Sequence, residues 1–491
     1  MAQRVNRVHS TLSANDHPYR NGAWTPNFDE YDADDLEIIG TIPDDIDGIY
    51  VRNTENPVHD AIGKYHPFDG DGMLHMMQIQ DGRARYKNRF VRTQGFQAEQ
   101  EAGGPLWIGF TGNPNKSTRR GWGAHGHVKD SSSTDICVHA GNLLSTFWQC
   151  GDGYRLSPQD LETLGIEAWV PFDGISAHPK VDLETGELMF FNYSTHAPYM
   201  HYGVAGADNK LKHYVPIDIP APRLPHDMGF SRKHSVLNDF PLYWPQHMLE
   251  QGFYVPYYDR ELPSRFGVIP RFGQSDDIRW FEADPTYVLH YTNCFEDGDE
   301  LVLDGYFQNN PWPQPLESMP DPYKIIGAGI DLHSLQPHLH RWRFNLRTGE
   351  TKEHRLCDAE HVEFGTINPR YQGKPYRYVY SASGEKGWFL FNGLVKHDLE
   401  TGDTERYAFG RHRFGSEAPF IPRANACAED DGYLISFITD MDADRSECVI
   451  LDAANLDQGP LCRIFLPHRI CSGTHAVWAN AEELNKGVSD E

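Results

Sequence analysis

The sequence predicts an all-β fold, a β-propeller, and three observations carry the prediction. Apolar residues alternate with a period of two, as in GELMFFNYS (186–194), PYRYVYSAS (375–383), DGYLISFIT (431–439) and GPLCRIFLP (459–467). Such runs of β-branched and aromatic residues, bounded by Gly, Pro, Asn and Asp, read as strands. One turn recurs: VDLETGELMFF (181–191), NLRTGETKEHRL (345–356) and HDLETGDTERYAF (397–409) each read as a strand, a polar turn closed by Thr-Gly, and a second strand. The glycine supplies the positive φ that such hairpin turns need. Finally, no Pro/Ser-rich linker divides the 491 residues, so radial repetition of four-stranded sheets in one domain is expected. Seven blades of about 60 residues each would fit the length. A pair of β-sandwiches is the competing fold.

Taken in order, the domain is expected at 20–480, with 1–19 and 481–491 as flexible, polar termini. DGDGMLHMMQIQDGRARYKNRFV (69–91) and HAGNLLSTFWQCGDGYRL (139–156) are the first two hairpins. The GDG at 70–72 looks like a phosphate loop, but its strand-rich setting makes it a tight turn. Helical windows are few; YWPQHMLEQG (243–252) is the best, and it is short.

Charge narrows the function. With 44 Lys+Arg against 70 Asp+Glu, the net charge is −26. That disfavours nucleic acid and charge-driven docking on anionic bilayers, both of which rely on clustered cations. The N-terminus has no apolar core of a secretory signal, and no run of about 18 apolar residues occurs, so a soluble, cytoplasmic protein is expected. Eight cysteines without a CxxC pair suggest reduced thiols rather than disulfides or a structural zinc site. G-x-S-x-G, Walker and G-x-G-x-x-G motifs are absent.

Among 25 histidines, four have distinctive settings: His178 in ISAHPKVD, His226 in LPHDMGF, His290 in PTYVLHYTNCFEDGD and His475 in CSGTHAVW. They stand 48, 64 and 185 residues apart, too far for a local finger, but a propeller axis would gather one from each of four blades at a single metal. Glu363 (HVEFGTINP) and Glu417 (GSEAPFIPR) sit among apolar residues. They are candidates to accept the second ring N–H of ligating imidazoles.

These residues resemble the carotenoid cleavage oxygenase family. GTIPDDIDGIYVRNTENPV…YHPFDGDGMLHMMQIQDGRARYKNRFVRT (40–93) is similar to its N-terminal signature. SAHPKVD, the His-Asp of LPHDMGF, IRWFEADPTYVLHYTNCFEDGDE, VEFGTINPRYQG, APFIPR…EDDGYL and GTHAVW follow in the family's order over roughly 30–478. The resemblance implies a seven-bladed propeller capped on one face by loops and short helices. It also implies an axial, non-haem Fe(2+) held by His178, His226, His290 and His475. Glu363 and Glu417 would support His290 and His475. The family's third glutamate is missing: Gln149 is the nearest counterpart, or Trp148 with a one-residue insertion. Gln149 would hold His226 more loosely, and Gln149→Glu would tighten iron retention.

The implied activity is a dioxygenase reaction. Four neutral histidines leave two coordination positions open for O2, and a conjugated C=C bond is cleaved to two carbonyl products. The partners implied are O2 and a lipophilic conjugated alkene. The aromatic segment FPLYWPQHMLEQGFYVPYY (240–258) is assigned to the cap and tunnel mouth, with peripheral membrane contact through an apolar patch. Relatives that cleave hydroxystilbenes or phenylpropenes hold the phenol oxygen with Tyr and Lys. Phe110 and Trp148 (or Phe147) stand there instead, which favours a carotenoid or apocarotenoid. Stilbene- or phenylpropene-type cleavage (the lignostilbene or isoeugenol type) is the alternative within the family, and a non-cleaving isomerase or binding protein is the other. An unrelated propeller hydrolase or lectin-like module is the reading outside it.

Overall fold

A computed structural model describes residues 2–13, 17–119 and 128–485. Seven sheets surround one axis as the blades of a β-propeller. From the axis outward, blade one is Ala476–Asn480, Gly48–Asn56, Asp71–Gln80 and Arg83–Phe90, with Asp29–Ala33 and Ala2–Arg7 at its outer edge. Blade two is Asp135–His139, Asn142–Thr146, Tyr154–Leu156 and Thr163–Ile166. Blade three is Lys180–Val181, Leu188–Tyr193, Met200–Ala205 and Leu211–Ile217. Blade four is Gly229–Phe230, His234–Asp239, Ser264–Pro270 and Arg279–Ala283. Blade five is Tyr291–Asp297, Glu300–Gln308, Pro337–Asn345 and Thr351–Glu360. Blade six is Val362–Thr366, Tyr378–Gly384, Phe391–Asp398 and Thr404–Ala408. In blade seven, Arg413–Phe414 and Phe420–Pro422 both pair with Gly432–Asp440, followed by Arg445–Asp452, Pro460–Phe465 and Ile38–Gly40.

The recurrent turn has one physical basis. In all three hairpins an Asp or Asn ends or directly follows the first strand and its side chain accepts from the amide two residues on: Asp182 from Glu184, Asn345 from Arg347 and Asp398 from Glu400. The glycine amide then returns to the carbonyl of that same residue. Gly186, Gly349 and Gly402 take φ of 71°, 85° and 79°, the left-handed region that side chains avoid.

The ring is closed twice. The C-terminal strand Ala476–Asn480 pairs with Gly48–Asn56, while Ile38–Gly40 from the N-terminal side pairs with Pro460–Phe465. Arg52 pins this junction. It is fully buried in blade one, and its guanidinium donates to Ser416 Oγ and to the carbonyls of Phe437 and Cys471, at 3.3, 3.4 and 2.9 Å. Buried cations require such partners. Blades also interlock through aromatic side chains, which dominate core burial. The fully buried Trp342 of blade five, for example, lies 5.2 Å (ring centroids) from Phe266 of blade four.

The N-terminus departs from expectation. Ala2–Arg7 was expected within a flexible tail but is an antiparallel edge strand on Asp29–Ala33, with Arg7 Nη1 bonded to both oxygens of Asp29. Polar composition does not reveal this, because an edge strand needs only main-chain partners. At the other end, Ala481–Asn485 forms a helical turn, and 486–491 lie outside the described residues. All eight cysteines are free; six are buried, Cys137 is half-buried and Cys427 is exposed. Among the described residues no helix is long and apolar enough to cross a membrane.

Long insertions cap one end of the ring. Residues 240–263 interrupt blade four with a two-stranded ribbon (Leu242–Tyr243 with Tyr257–Tyr258) and the short helix Gln246–Glu250, inside the expected helical window. Residues 309–336 interrupt blade five with helices Lys324–Ile330 and Leu332–Leu335. Met319, Ile330 and Leu332 of the latter pack in one cluster with Tyr19, Trp24 and Phe364.

Candidate metal centre

Each of the four histidines stands just before the innermost strand of a blade. His178 precedes Lys180–Val181 of blade three, His226 precedes Gly229–Phe230 of blade four, His290 precedes Tyr291–Asp297 of blade five, and His475 precedes Ala476–Asn480 of blade one. A place within three residues of the start of four radial strands brings all four rings to the axis. Ring centroids are 4.7 Å apart for His178–His226, 4.9 Å for His178–His290, 4.5 Å for His178–His475, 5.2 Å for His226–His290 and 4.7 Å for His290–His475. All four are buried. Nitrogens of His178, His290 and His475 lie within 4.8 Å of one another, and the Nε2 atoms of His178 and His226 are 3.1 Å apart.

The blades without a histidine supply carboxylates. Glu363 of blade six accepts from His290 Nδ1 at 2.7 Å and from the Phe364 amide at 2.8 Å. Glu417, just before Phe420–Pro422 of blade seven, pairs with His475 Nδ1 at 3.3 Å and also accepts from the Ala476 amide at 2.9 Å. Asp135, which opens blade two, accepts from His178 Nδ1 at 2.8 Å. With Nδ1 as the donor in each ring, the tautomer is set and the lone pair sits on Nε2, facing the axis. His290 Nε2 is buried and meets no hydrogen-bond partner, an arrangement that costs free energy unless a cation accepts the lone pair.

Local backbone strain marks the same residues. His178 (φ 61°), just before Pro179, and Phe364 (φ 57°), just after Glu363, are both left-handed. This is rare for bulky side chains and tolerated where surrounding contacts over-determine it. The irregularity at Phe364, inside the strand Val362–Thr366, sets its ring 4.6 Å from His290 and 4.9 Å from His475.

Electrostatics suit neutral ligands at three of the four positions. Burial holds His178 and His290 well below the usual imidazole range, with the positive fields of neighbouring rings and of Lys180 adding to it. Burial, with His475 and Lys180, takes His226 down to about 3. For His475 burial acts downward too, but the Glu417 hydrogen bond and the carboxylates of Asp135, Glu417 and Glu55 outweigh it and raise the pKa. Burial pushes the Glu363 carboxyl well above its ordinary range. A cation among the four rings is the charge that would offset these buried carboxylates. The donor set therefore fits a resident metal.

Two expectations need correction. Gln149 does not hold His226. It lines a small cavity of about 40 Å³ with Phe110, Val128, Tyr193, Trp244 and Tyr254. Among the described residues, no hydrogen bond joins Gln149 to His226. The third carboxylate exists, but it is Asp135, and it serves His178. Sequence reasoning missed it because the family's pattern points to the end of the strand after HAG, whereas Asp135 opens the strand before it; its placement at the start of a strand, like Glu363, was the available signal. Gln149→Glu is now expected to leave metal affinity unchanged, whereas Asp135→Asn should weaken it by about 10-fold, the lower end for such partners. Chelator-competition titration checks both.

Phe110 and Trp148 do come together, with centroids 4.9 Å apart, and Phe147 packs in the same cluster. From Trp148 an aromatic series runs to the imidazoles: Phe68 at 6.5 Å, Phe389 at 5.4 Å from Phe68, then Phe364 at 6.1 Å. On the other side, the inner strands run from the histidines into an axial well of about 720 Å³ lined by Lys180, Thr292, Thr366 and Ala476 among others.

A family model described as retinal pigment epithelial membrane protein (RPE65) matches residues 24–480. The chain belongs to this RPE65/carotenoid cleavage oxygenase family. It is 33% identical to the carotenoid 9,10(9′,10′)-cleavage dioxygenase of Crocus sativus, covering 96% of this chain and 91% of that relative. It is 30% identical to the isoeugenol monooxygenase of Pseudomonas putida, covering 96% and 99%. Among solved structures, Pseudomonas brassicacearum lignostilbene dioxygenase superposes with a TM-score of 0.83 at 26% identity, covering 96% and 100%. Cobalt-substituted Synechocystis ACO does so with 0.80 at 25%, covering 94% and 98%. Family members of both the carotenoid-cleaving and the lignostilbene type thus share the whole length of this propeller.

Proposed function

We propose that the chain is a non-haem Fe(2+) dioxygenase that splits a conjugated C=C bond of a carotenoid or apocarotenoid with O2 into two carbonyl products, with residues 20–480 as one catalytic unit. The observation that carries this is the axial set of four imidazoles with the unpartnered Nε2 of His290. His178, His226, His290 and His475 would hold the metal through Nε2. A ferrous ion there would supply a site at which O2 binds and is activated. The protein does the rest. Asp135, Glu363 and Glu417 hold Nδ1 protons and so fix three rings. Phe364, Phe389, Phe68, Trp148 and Phe110 form an apolar wall that orients an extended alkene beside the rings and keeps water out.

The apolar Phe110–Trp148 pair favours a hydrocarbon polyene over a phenol, and the 33%-identical Crocus relative agrees. The lignostilbene dioxygenase likeness supports the second reading, an aromatic alkene. Incubation with apocarotenals and hydroxystilbenes under O2, with aldehydes read by mass spectrometry, separates them. Cleavage of hydroxystilbenes alone would overturn the first; no aldehyde from either class would overturn both.

Delivery of such a substrate calls for membrane contact. Phe253, Val255 and Tyr257 on the cap insertion are each about half exposed, and surface apolar groups of this kind partition into bilayer interfaces. The surface charge of −26 leaves apolar contact as the driving term. Phe253→Ser with Val255→Ser should release the protein from neutral phosphatidylcholine vesicles in a flotation assay; unchanged flotation would remove this contact.

A further inference from the structure

We infer that the buried ion pair between Asp227 and Lys180 is a positioning device for the metal centre, setting His226 through the main chain; the inference rests on the proposed metal-binding role of the four histidines. Among the described residues His226 has no carboxylate on its ring, unlike the other three. Its neighbour Asp227 is 1% exposed and reaches sideways across two blade boundaries. Its Oδ1 takes the Lys180 ammonium at 2.7 Å and its Oδ2 accepts the Tyr291 amide at 2.8 Å. Lys180 stands two residues after His178, and Tyr291 directly follows His290. One carboxylate therefore joins the strand starts that deliver three of the four histidines, in blades three, four and five.

The same point is braced from behind. Asn238, on the second strand of blade four, donates to the Asp227 carbonyl at 2.6 Å and accepts from the Tyr291 hydroxyl at 2.6 Å. The Met228 amide closes onto Asp227 Oδ1 at 2.7 Å. The carboxylate is thus satisfied on both oxygens, as a buried charge must be, and its bonds are the charge-assisted kind. A ring without an outer hydrogen bond can hold its direction if its backbone cannot shift or tilt. Glu363, Glu417 and Asp135 act on imidazoles, whereas Asp227 acts on the chain that carries one.

Asp227→Asn keeps the shape but cannot accept fully from both Lys180 and the Tyr291 amide. We expect it to fold with an unchanged circular dichroism spectrum and to bind Co(II) about 10–100-fold more weakly, the range found when a partner that orients a ligand is lost. The visible ligand-field spectrum of the cobalt form should also change, since His226 would meet the ion in a different geometry. Lys180→Met, in a side chain that faces the axial well, should weaken binding about 10–100-fold, and Lys180→Arg, which keeps the cation on Asp227, should recover most of that loss. A merely stabilising bridge would lower the melting temperature and leave cobalt affinity and spectrum as they are. That result in Asp227→Asn overturns the inference; if Asp227→Asn does not fold, the same result in Lys180→Met does so. If neither folds, the pair is a fold-stabilising bridge and the inference falls. Failure of the unmodified chain to take up cobalt or ferrous ion would overturn the metal centre itself and this inference with it.

Discussion

His290→Ala is expected to abolish metal binding and turnover together. His290 is central in the cluster: its ring lies within 5.2 Å of the other three, and its Nε2 is buried without a protein partner. Alanine removes that donor and leaves three. It also strands Glu363, which keeps only the Phe364 amide among the bonds just described. The loss should exceed the about 10–100-fold typical of an outer hydrogen-bond partner. Losing one buried hydrogen bond costs about 1–3 kcal/mol, small enough for a propeller of this size to remain folded. Metal analysis after ferrous reconstitution, with circular dichroism as the control for folding, reads the result. A folded variant that retains stoichiometric iron and turnover would falsify the four-histidine centre.

Glu363→Gln separates ligand support from fold stability. The carboxylate is fully buried and held by two N–H donors. Burial raises its pKa, so removing the acid takes away a group that the metal-free interior disfavours. Glutamine can still accept from His290 Nδ1 but brings no negative charge toward the cation. The metal-free variant should therefore melt no lower than the parent, while metal affinity falls about 10–100-fold. A lower melting temperature with unchanged affinity would make Glu363 a structural residue only. Unlike truncation of a ligand, this change moves the two readouts in different directions, which makes it the sharper test of how the carboxylates act.

Much of the fold was legible from short-range rules. The hairpins at 181–191, 345–356 and 397–409 are local: an Asx side chain, a Thr-Gly and two alternating strands determine each one within about a dozen residues. The four histidines were legible as candidates from their settings in ISAHPKVD, LPHDMGF, PTYVLHYTNCFEDGD and CSGTHAVW and from the order these motifs share with the family. The partners were harder. Local pattern links neither Glu363 to a histidine 73 residues away nor Asp135 to one 43 residues away; the family resemblance paired Glu363 with His290 and Glu417 with His475, as the structure has them, but not Asp135 with His178. Gln149 shows the converse error. A position inferred by counting from a motif lands on the correct hairpin, yet the side chain lines a cavity instead of touching His226.

The sequence by itself determined the period of the strands, the hairpin turns, the blade-like repeat and which histidines could ligate. These depend on neighbours in the chain and on a backbone that alternates its faces every residue. Only the tertiary structure decided that Asp135 serves His178, that Asp227 and Lys180 join three blades, that Ala2–Arg7 completes an edge, and that Arg52 locks the ring where its two ends meet. The reason is geometric. A closed ring brings the starts of its inner strands to one axis whatever their separation in the chain, so contacts there are set by blade order and strand register.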